Sequence, residues 1–269
     1  MNESPKPNPP EAVPIEMRGV SVGAIQDPDY LIIKDVDWSV AAGEFWVVGA
    51  PPSSGKSDFL MMAAGLIPPV RGAYKFYGTR TRTFDESRLA DRLRMGFVFE
   101  NSQLFHYLTM AENVALPLRY HQNLGADEAI GAVDDLLAAT HLKPIADLRP
   151  PDLPQGWQKR AGLARALAMK PDILLADNPL GALDARHSNW WRRFLDELWL
   201  GHPWLDKKPL TIVVTTDDFR PWQGDRLQFA LLKGQSFVPL GSWDQLLASD
   251  EPLVKELLAV QPVTVEENK

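Results

Sequence analysis

The stretch with the clearest chemistry is Phe45–Asp58, F-W-V-V-G-A-P-P-S-S-G-K-S-D. An apolar run of β type enters a loop of small residues and prolines. The loop closes on Gly55-Lys56-Ser57, and a helical pattern, D-F-L-M-M-A-A-G-L, follows. Such an order suits a triphosphate, because backbone N–H groups and the start of a helix can face the phosphates. Lys56 would reach the β- and γ-phosphates, and Ser57 would bind Mg²⁺. The expected nucleotide contacts are Ala50, Pro51, Ser53, Ser54, Gly55, Lys56, Ser57 and Asp58. The loop departs from G-x-x-x-x-G-K-[ST]: Ala50 stands where the first Gly belongs, and Ser53 where a further Gly is common.

The rest of the chain must position that loop. Val13–Val22 and Tyr30–Val40 alternate or run apolar and predict an antiparallel strand pair. Gly96–Phe99, Asp172–Ala176 and Leu210–Thr215 read as buried strands. Helical patterns cover Ser87–Arg94, Gly156–Met169 and Arg186–Leu200. Another starts at Ala111 and continues brokenly to Tyr120. Asp127–Ala139 is helical, with Ile130, Val133, Leu136 and Leu137 on one face. Trp204–Pro209 reads as a loop, and Leu227–Leu232 with Ser236–Pro239 as a closing hairpin. Buried strands separated by helices predict a largely parallel sheet with helices on both faces, its ligand loops at the carboxyl ends of the strands.

Composition excludes several alternatives. A chain of 269 residues can bury a full core. It has no cysteine, which rules out thiol catalysis, disulfides and Cys-ligated zinc. Net charge is −7, so no basic stripe points to nucleic acid and no basic amphipathic helix to a lipid surface. No apolar run reaches the roughly 18–20 residues that span a bilayer. The start, M-N-E-S-P-K-P-N-P-P-E, lacks the secretory pattern. A cytoplasmic location is the expectation, with residues 1–12 a disordered lead-in.

The order of segments resembles the ATPase subunit of ABC transporters over roughly residues 15–248. The resemblance is carried by the phosphate loop and by G-L-I-P-P-V-R-G-A-Y-K-F-Y-G. It continues through G-F-V-F-E-N-S-Q-L-F-H-Y-L-T-M-A-E-N-V, L-P-Q-G-W-Q-K-R-A-G-L-A-R-A-L, I-L-L-A-D-N-P-L-G-A-L-D and T-I-V-V-T-T-D-D. E-N-V-A-L-P-L-R-Y-H and K-R-A-G-L-A-R-A are most similar to the ATPases of Mce-type lipid transport. The implied fold is α/β, a P-loop NTPase of ABC-ATPase type. Its central sheet is mixed, with antiparallel N-terminal strands and a helical subdomain. The implied division is a core of 13–100 and 166–248, a helical subdomain of 101–165, and a C-terminal helix and tail of 249–269.

The resemblance implies a role for each matching position. Asp177, after four apolar strand residues, supports Mg²⁺ with Ser57. The family's catalytic Glu is Asn178, whose amide accepts no proton at neutral pH, so general-base help of about 10²–10⁴-fold is lost. The Q-loop Gln is Glu100, a further candidate metal ligand, and the switch His is read as Thr216. The signature Ser-Gly-Gly is Pro154-Gln155-Gly156; Pro154 offers neither hydroxyl nor N–H. Tyr30 is the nearest candidate for the adenine-stacking aromatic, and Trp157 an exposed interface residue. The reading implied is an ATP-binding subunit with weak or no hydrolysis. Its partners would be a membrane permease and a second ATPase, self or a competent homologue, with no membrane span of its own. The alternatives are an active ATPase with unorthodox residues and a scaffold that binds no nucleotide.

Overall fold

A computed structural model of the chain describes residues 13–82 and 86–259. The expected lead-in of residues 1–12 and the last ten residues lie outside the described residues.

The central sheet has six strands in the order β10-β9-β3-β8-β7-β6. These are β3 (Phe45–Gly49), β6 (Met95–Val98), β7 (Ile173–Ala176), β8 (Thr211–Thr216), β9 (Gln228–Lys233) and β10 (Ser236–Gly241). All neighbours are parallel except the β9–β10 hairpin. β3, β7 and β8 are buried at every residue, as strands covered on both faces must be. Their alternation sorts the side chains into two cores. Phe45, Val47, Leu174, Ala176, Ile212 and Val214 face a helical layer. Trp46, Val48, Ile173, Leu175 and Val213 face α1 (Lys56–Ala63) and a second sheet.

That second sheet is antiparallel, in the order β2-β1-β4-β5. It comprises β1 (Ile15–Gly23), β2 (Leu31–Val40), β4 (Arg71–Phe76) and the three-residue β5 (Thr79–Thr81). The expected antiparallel pair, β1 with β2, is therefore one side of a four-stranded sheet, with β2 at its edge. β5 carries no apolar run and was not legible from pattern.

The helical layer holds α3 (Met110–His121), α4 (Ala126–Ala132), α5 (Asp134–Ala139), α6 (Gln155–Leu167) and α7 (Ala185–Leu200). Short α2 (Leu89–Arg92) precedes β6, and α8 (Trp243–Leu247) and α9 (Pro252–Leu258) close the described chain. Three readings need correction. The helix expected to continue brokenly to Tyr120 runs as one helix through Pro117 to His121, held at its start by a capping box between Thr109 and Glu112. The single helix expected over 127–139 is two, because Val133 leaves helical geometry (φ −105°, ψ 8°). The segment expected as a loop after Trp204 opens with a single 3₁₀ turn, Pro203–Leu205.

Candidate functional site

β3 delivers the chain to the loop at its carboxyl end. Gly49 is held at a fixed width there: a Cβ would lie 2.0 Å from the Phe219 ring. Ser53 takes φ +57°, the left-handed conformation that favours glycine, at a cost of roughly 1–2 kcal/mol. Gly55 takes φ +83° and caps α1. Lys56 and Ser57 then open the helix, and Asp58 ties it to the loop after β1 by accepting the Ile25 N–H at 2.9 Å.

A cavity of about 600 Å³ opens over this loop. Pro51, Ser53, Ser54, Gly55, Lys56, Ser57 and Asp58 line it, together with Glu100 and Tyr30. Tyr30 is 62% exposed at the cavity wall. Ala50 is a correction. It is fully buried behind the loop, and its N–H is taken by the Thr216 carbonyl at 2.9 Å. Sequence reasoning missed Pro52 and the opposite wall, Leu232–Ser236, where Gln235 bonds back to β2. No local motif signals that wall, which exists only because β10 crosses to β2.

The Ser54 hydroxyl is buried with no hydrogen-bond partner. An orphaned donor in a phosphate loop fits an anionic ligand, as does the Lys56 ammonium on the cavity wall. Behind the cavity wall, Asp177 is buried and accepts hydrogen bonds from Ser57 and from Thr215, the latter at 2.7 Å. Burial, with the Glu100 charge, pushes the Asp177 carboxyl above its ordinary range, against those bonds and the Lys56 charge. A buried carboxylate beside a serine hydroxyl is a hard-oxygen pair suited to Mg²⁺. Such a pair leaves the remaining positions to water and phosphate. Among the described residues no cluster of three acidic or histidine side chains forms a complete cage.

The side chains next to Asp177 form one network. The Asn178 amide donates to Glu100 Oε1 at 2.7 Å and to Asp217 Oδ2 at 3.1 Å. Asn178 sits at φ +41°, which asparagine tolerates better than most residues. Gly181 is required beneath it, since a Cβ there would lie 2.4 Å from the Asn178 amide. From α6, Lys159 donates to the Asn178 and Gly181 carbonyls at 3.1 and 2.7 Å. Burial pushes the Lys159 ammonium down, while Glu100, Asp177 and Asp217 hold it up. Lys159→Ala leaves the Gly181 carbonyl unpartnered, at about 1–3 kcal/mol, while the Asn178 carbonyl keeps the Gly181 N–H at 3.1 Å. Chemical denaturation should therefore show a loss of about 1–3 kcal/mol.

Thr216 does not join this network. It is 2% exposed, donates to the Asp218 carbonyl and accepts from the Asp218 N–H and the Trp222 indole. The hydroxyl is consumed inside the protein, and the group that meets Asn178 is Asp217. The sequence signal was available: β8 is buried through Thr216, and Asp217 is the first residue past its end.

Pro154 caps α6, and Pro154 and Gln155 are exposed, outside the cavity. Gln158 fixes the loop by donating to the Pro150 and Leu153 carbonyls, both at 2.9 Å. Gly156 is buried because His187 lies beneath it; a Cβ would sit 2.6 Å from that ring. Trp157, expected to be exposed, is half-buried, edge-on to His187 and under Arg160.

The His187 Nδ1 is buried without a partner. Burial first, then the Arg160 and Arg186 charges, lower its pKa, with Asp184 opposing. A depressed histidine pKa favours the neutral folded form. Its contribution is whole above the ordinary value near 6.5 and is lost as pH falls below it. His121 and His202 are lowered too, so the variant isolates the effect. Melting temperature should fall from pH 7.5 to 5.5, and less steeply in His187→Gln protein.

Comparison with known proteins follows the same lines. The protein family described as ABC transporter matches residues 33–181. The sulfate/thiosulfate import ATP-binding protein CysA of Escherichia coli (strain K12) is 38% identical over 173 residues, covering 62% of this chain and 46% of that protein. The probable ribonucleotide transport ATP-binding protein mkl of Mycobacterium bovis is 30% identical over 266 residues, covering 97% of this chain and 71% of that protein. A solved dimeric ATP-binding cassette in a post-hydrolysis state, bound to ADP and Pi, superposes with a TM-score of 0.71 at 29% identity. It covers 82% of this chain and 95% of that one. The chain thus spans about half the length of the sulfate/thiosulfate relatives it matches.

Proposed function

The chain belongs to the ABC transporter family, and from that membership we propose that it is a nucleotide-binding subunit that holds Mg-ATP while hydrolysing it weakly or not at all. The observation that carries this is the contrast within one site. The phosphate loop, Lys56, Ser57 and Asp177 are arranged for a triphosphate, yet an amide stands at Asn178 beside them.

In this reading the loop N–H groups, Ser54 and Lys56 bind the phosphates, and Tyr30 covers the base. Ser57 and Asp177, with Glu100 alongside, hold Mg²⁺, which when bound neutralises phosphate charge. Binding rests on the loop, Lys56 and the metal ligands and survives the loss of a base, whereas turnover loses the factor of about 10²–10⁴ that a positioned base supplies. Asn178 orients a water without taking its proton. Pro154, Gln155 and Gly156 face a second ATPase subunit, self or a competent homologue, and grip its γ-phosphate weakly. Residues 101–165 act as the helical subdomain. The apolar groove of about 340 Å³ lined by Phe97, Phe99, Phe105 and Pro117 seats a segment of a membrane permease. That seat places the subunit peripherally on the cytoplasmic face. The cargo is lipid, by the likeness to Mce-type ATPases.

A second reading, an active ATPase with unorthodox residues, rests on one observation. Glu100 places a carboxylate 2.7 Å from the Asn178 amide, so acid and amide have exchanged places relative to the family pattern. Equilibrium binding of Mg-ATP and its non-hydrolysable analogue tests the first part of the proposal. Saturable binding of both supports it, and absence of both leaves the scaffold alternative.

A further inference from the structure

The chain's negative charge is unevenly placed. Residues 71–94 hold seven Lys or Arg against three Asp or Glu, whereas all other residues hold 21 against 32. A surplus of four positive charges therefore sits in a chain of net −7, which whole-chain composition conceals. Lys75 is paired with Glu16, Arg88 with Asp91 and Arg94 with Asp172. Arg71, Arg80, Arg82 and Arg92 are exposed and have no carboxylate partner among the described residues.

Arg71, Arg80 and Arg82 line one cleft of about 450 Å³ at the β4–β5 edge of the antiparallel sheet. Arg80 lies directly opposite Lys75 on the neighbouring strand, and like charges facing across a strand pair destabilise it. Glu16 offsets the Lys75 charge, but Arg71, Arg80 and Arg82 have no carboxylate partner among the described residues, and three such charges in one cleft point to an external anion. Guanidinium forks match phosphate oxygens in geometry and charge. The cleft follows the apolar groove closely along the chain: after α1, Ala64 and Leu66 line the groove, and Pro69 and Val70 line the cleft. Arg92 stands on the groove itself. Unpaired arginines spread over both features suit an extended anionic surface better than a single small ion.

We propose that this arginine face binds the phosphate headgroups of an anionic bilayer and holds the subunit against the membrane beside the groove. The orientation rests on the reading that the groove seats a permease; the lipid contact itself does not require nucleotide. Each basic side chain near an anionic bilayer contributes about fivefold in binding, so three contribute about a hundredfold.

The test is co-sedimentation of the full chain with vesicles of phosphatidylglycerol and phosphatidylcholine, against phosphatidylcholine alone, over a salt series. Binding should require phosphatidylglycerol and weaken as salt rises. The variant R71Q/R80Q/R82Q should bind about a hundredfold more weakly and keep its Mg-ATP thermal shift. The control K34Q/K207Q/K208Q, altered at exposed lysines elsewhere, should bind within twofold of wild type. Wild-type indifference to phosphatidylglycerol, or equal binding by the arginine variant, would overturn the proposal. So would tighter binding to a nucleic-acid duplex, or arginine-dependent binding of pyrophosphate without vesicle binding. Vesicle binding by a protein that shows no Mg-ATP shift would instead remove the nucleotide reading and leave the lipid contact standing.

Discussion

Lys56→Ala protein should lose the thermal stabilisation that saturating Mg-ATP gives the wild type. A ligand at about a hundred times its dissociation constant stabilises the folded state by about 2.7 kcal/mol. For a chain of this size that corresponds to a rise of roughly 5–10 °C. Lys56 lies on the cavity wall at the first turn of α1 and is 7% exposed. Its ammonium would bond phosphate oxygens with charge assistance, at about 1.5–3 kcal/mol per bond. Loss of two such bonds weakens binding by about 10²–10⁴-fold. The nucleotide-free variant should melt close to wild type, so a lost shift reports binding and not misfolding. A shift that persists in Lys56→Ala protein would place the nucleotide elsewhere.

The double variant E100Q/N178E should gain ATP hydrolysis by about 10²-fold or more. Asn178 faces two carboxylates, Glu100 at 2.7 Å and Asp217 at 3.1 Å. Asn178→Glu alone would put three acids together, and such a carboxyl protonates instead of serving as a base. Glu100→Gln removes one of them and supplies an amide donor in exchange. Lys159, bonded to the Asn178 carbonyl, offsets part of what remains. The arrangement then has a carboxylate next to Asp177, where general-base help is worth about 10²–10⁴-fold. Phosphate release by the purified variant is the readout. No gain at equal nucleotide occupancy would mean that hydrolysis is limited by the signature face or by a missing partner.

The parts of this site that were legible were local ones. β3, the loop and α1 were readable because an apolar run, small residues and Gly-Lys-Ser follow one another directly. The β-strands of the central sheet were readable because full burial leaves continuous apolar runs, as in Ile173–Ala176. Features made by distant residues were not. Strand order, the Leu232–Ser236 wall over the nucleotide cavity and His187 under Gly156 depend on crossovers that no window contains. Lys159 carries no signal of its own within the Gly156–Met169 helical pattern, yet its ammonium is buried on the Asn178 and Gly181 carbonyls. The contacts of Thr216 were not legible either: its hydroxyl is bonded to Asp218 and Trp222, a set made by the turn after β8 that a segment match does not show.

The central claim is that the pocket still grips ATP and has lost the means to cut it. Incubating wild-type protein with Mg²⁺ and γ-labelled ATP, then separating bound from free nucleotide, addresses both halves at once. The claim predicts bound label that comes off as intact ATP. Label released as free phosphate at a steady rate, and released no faster by E100Q/N178E protein, would contradict it.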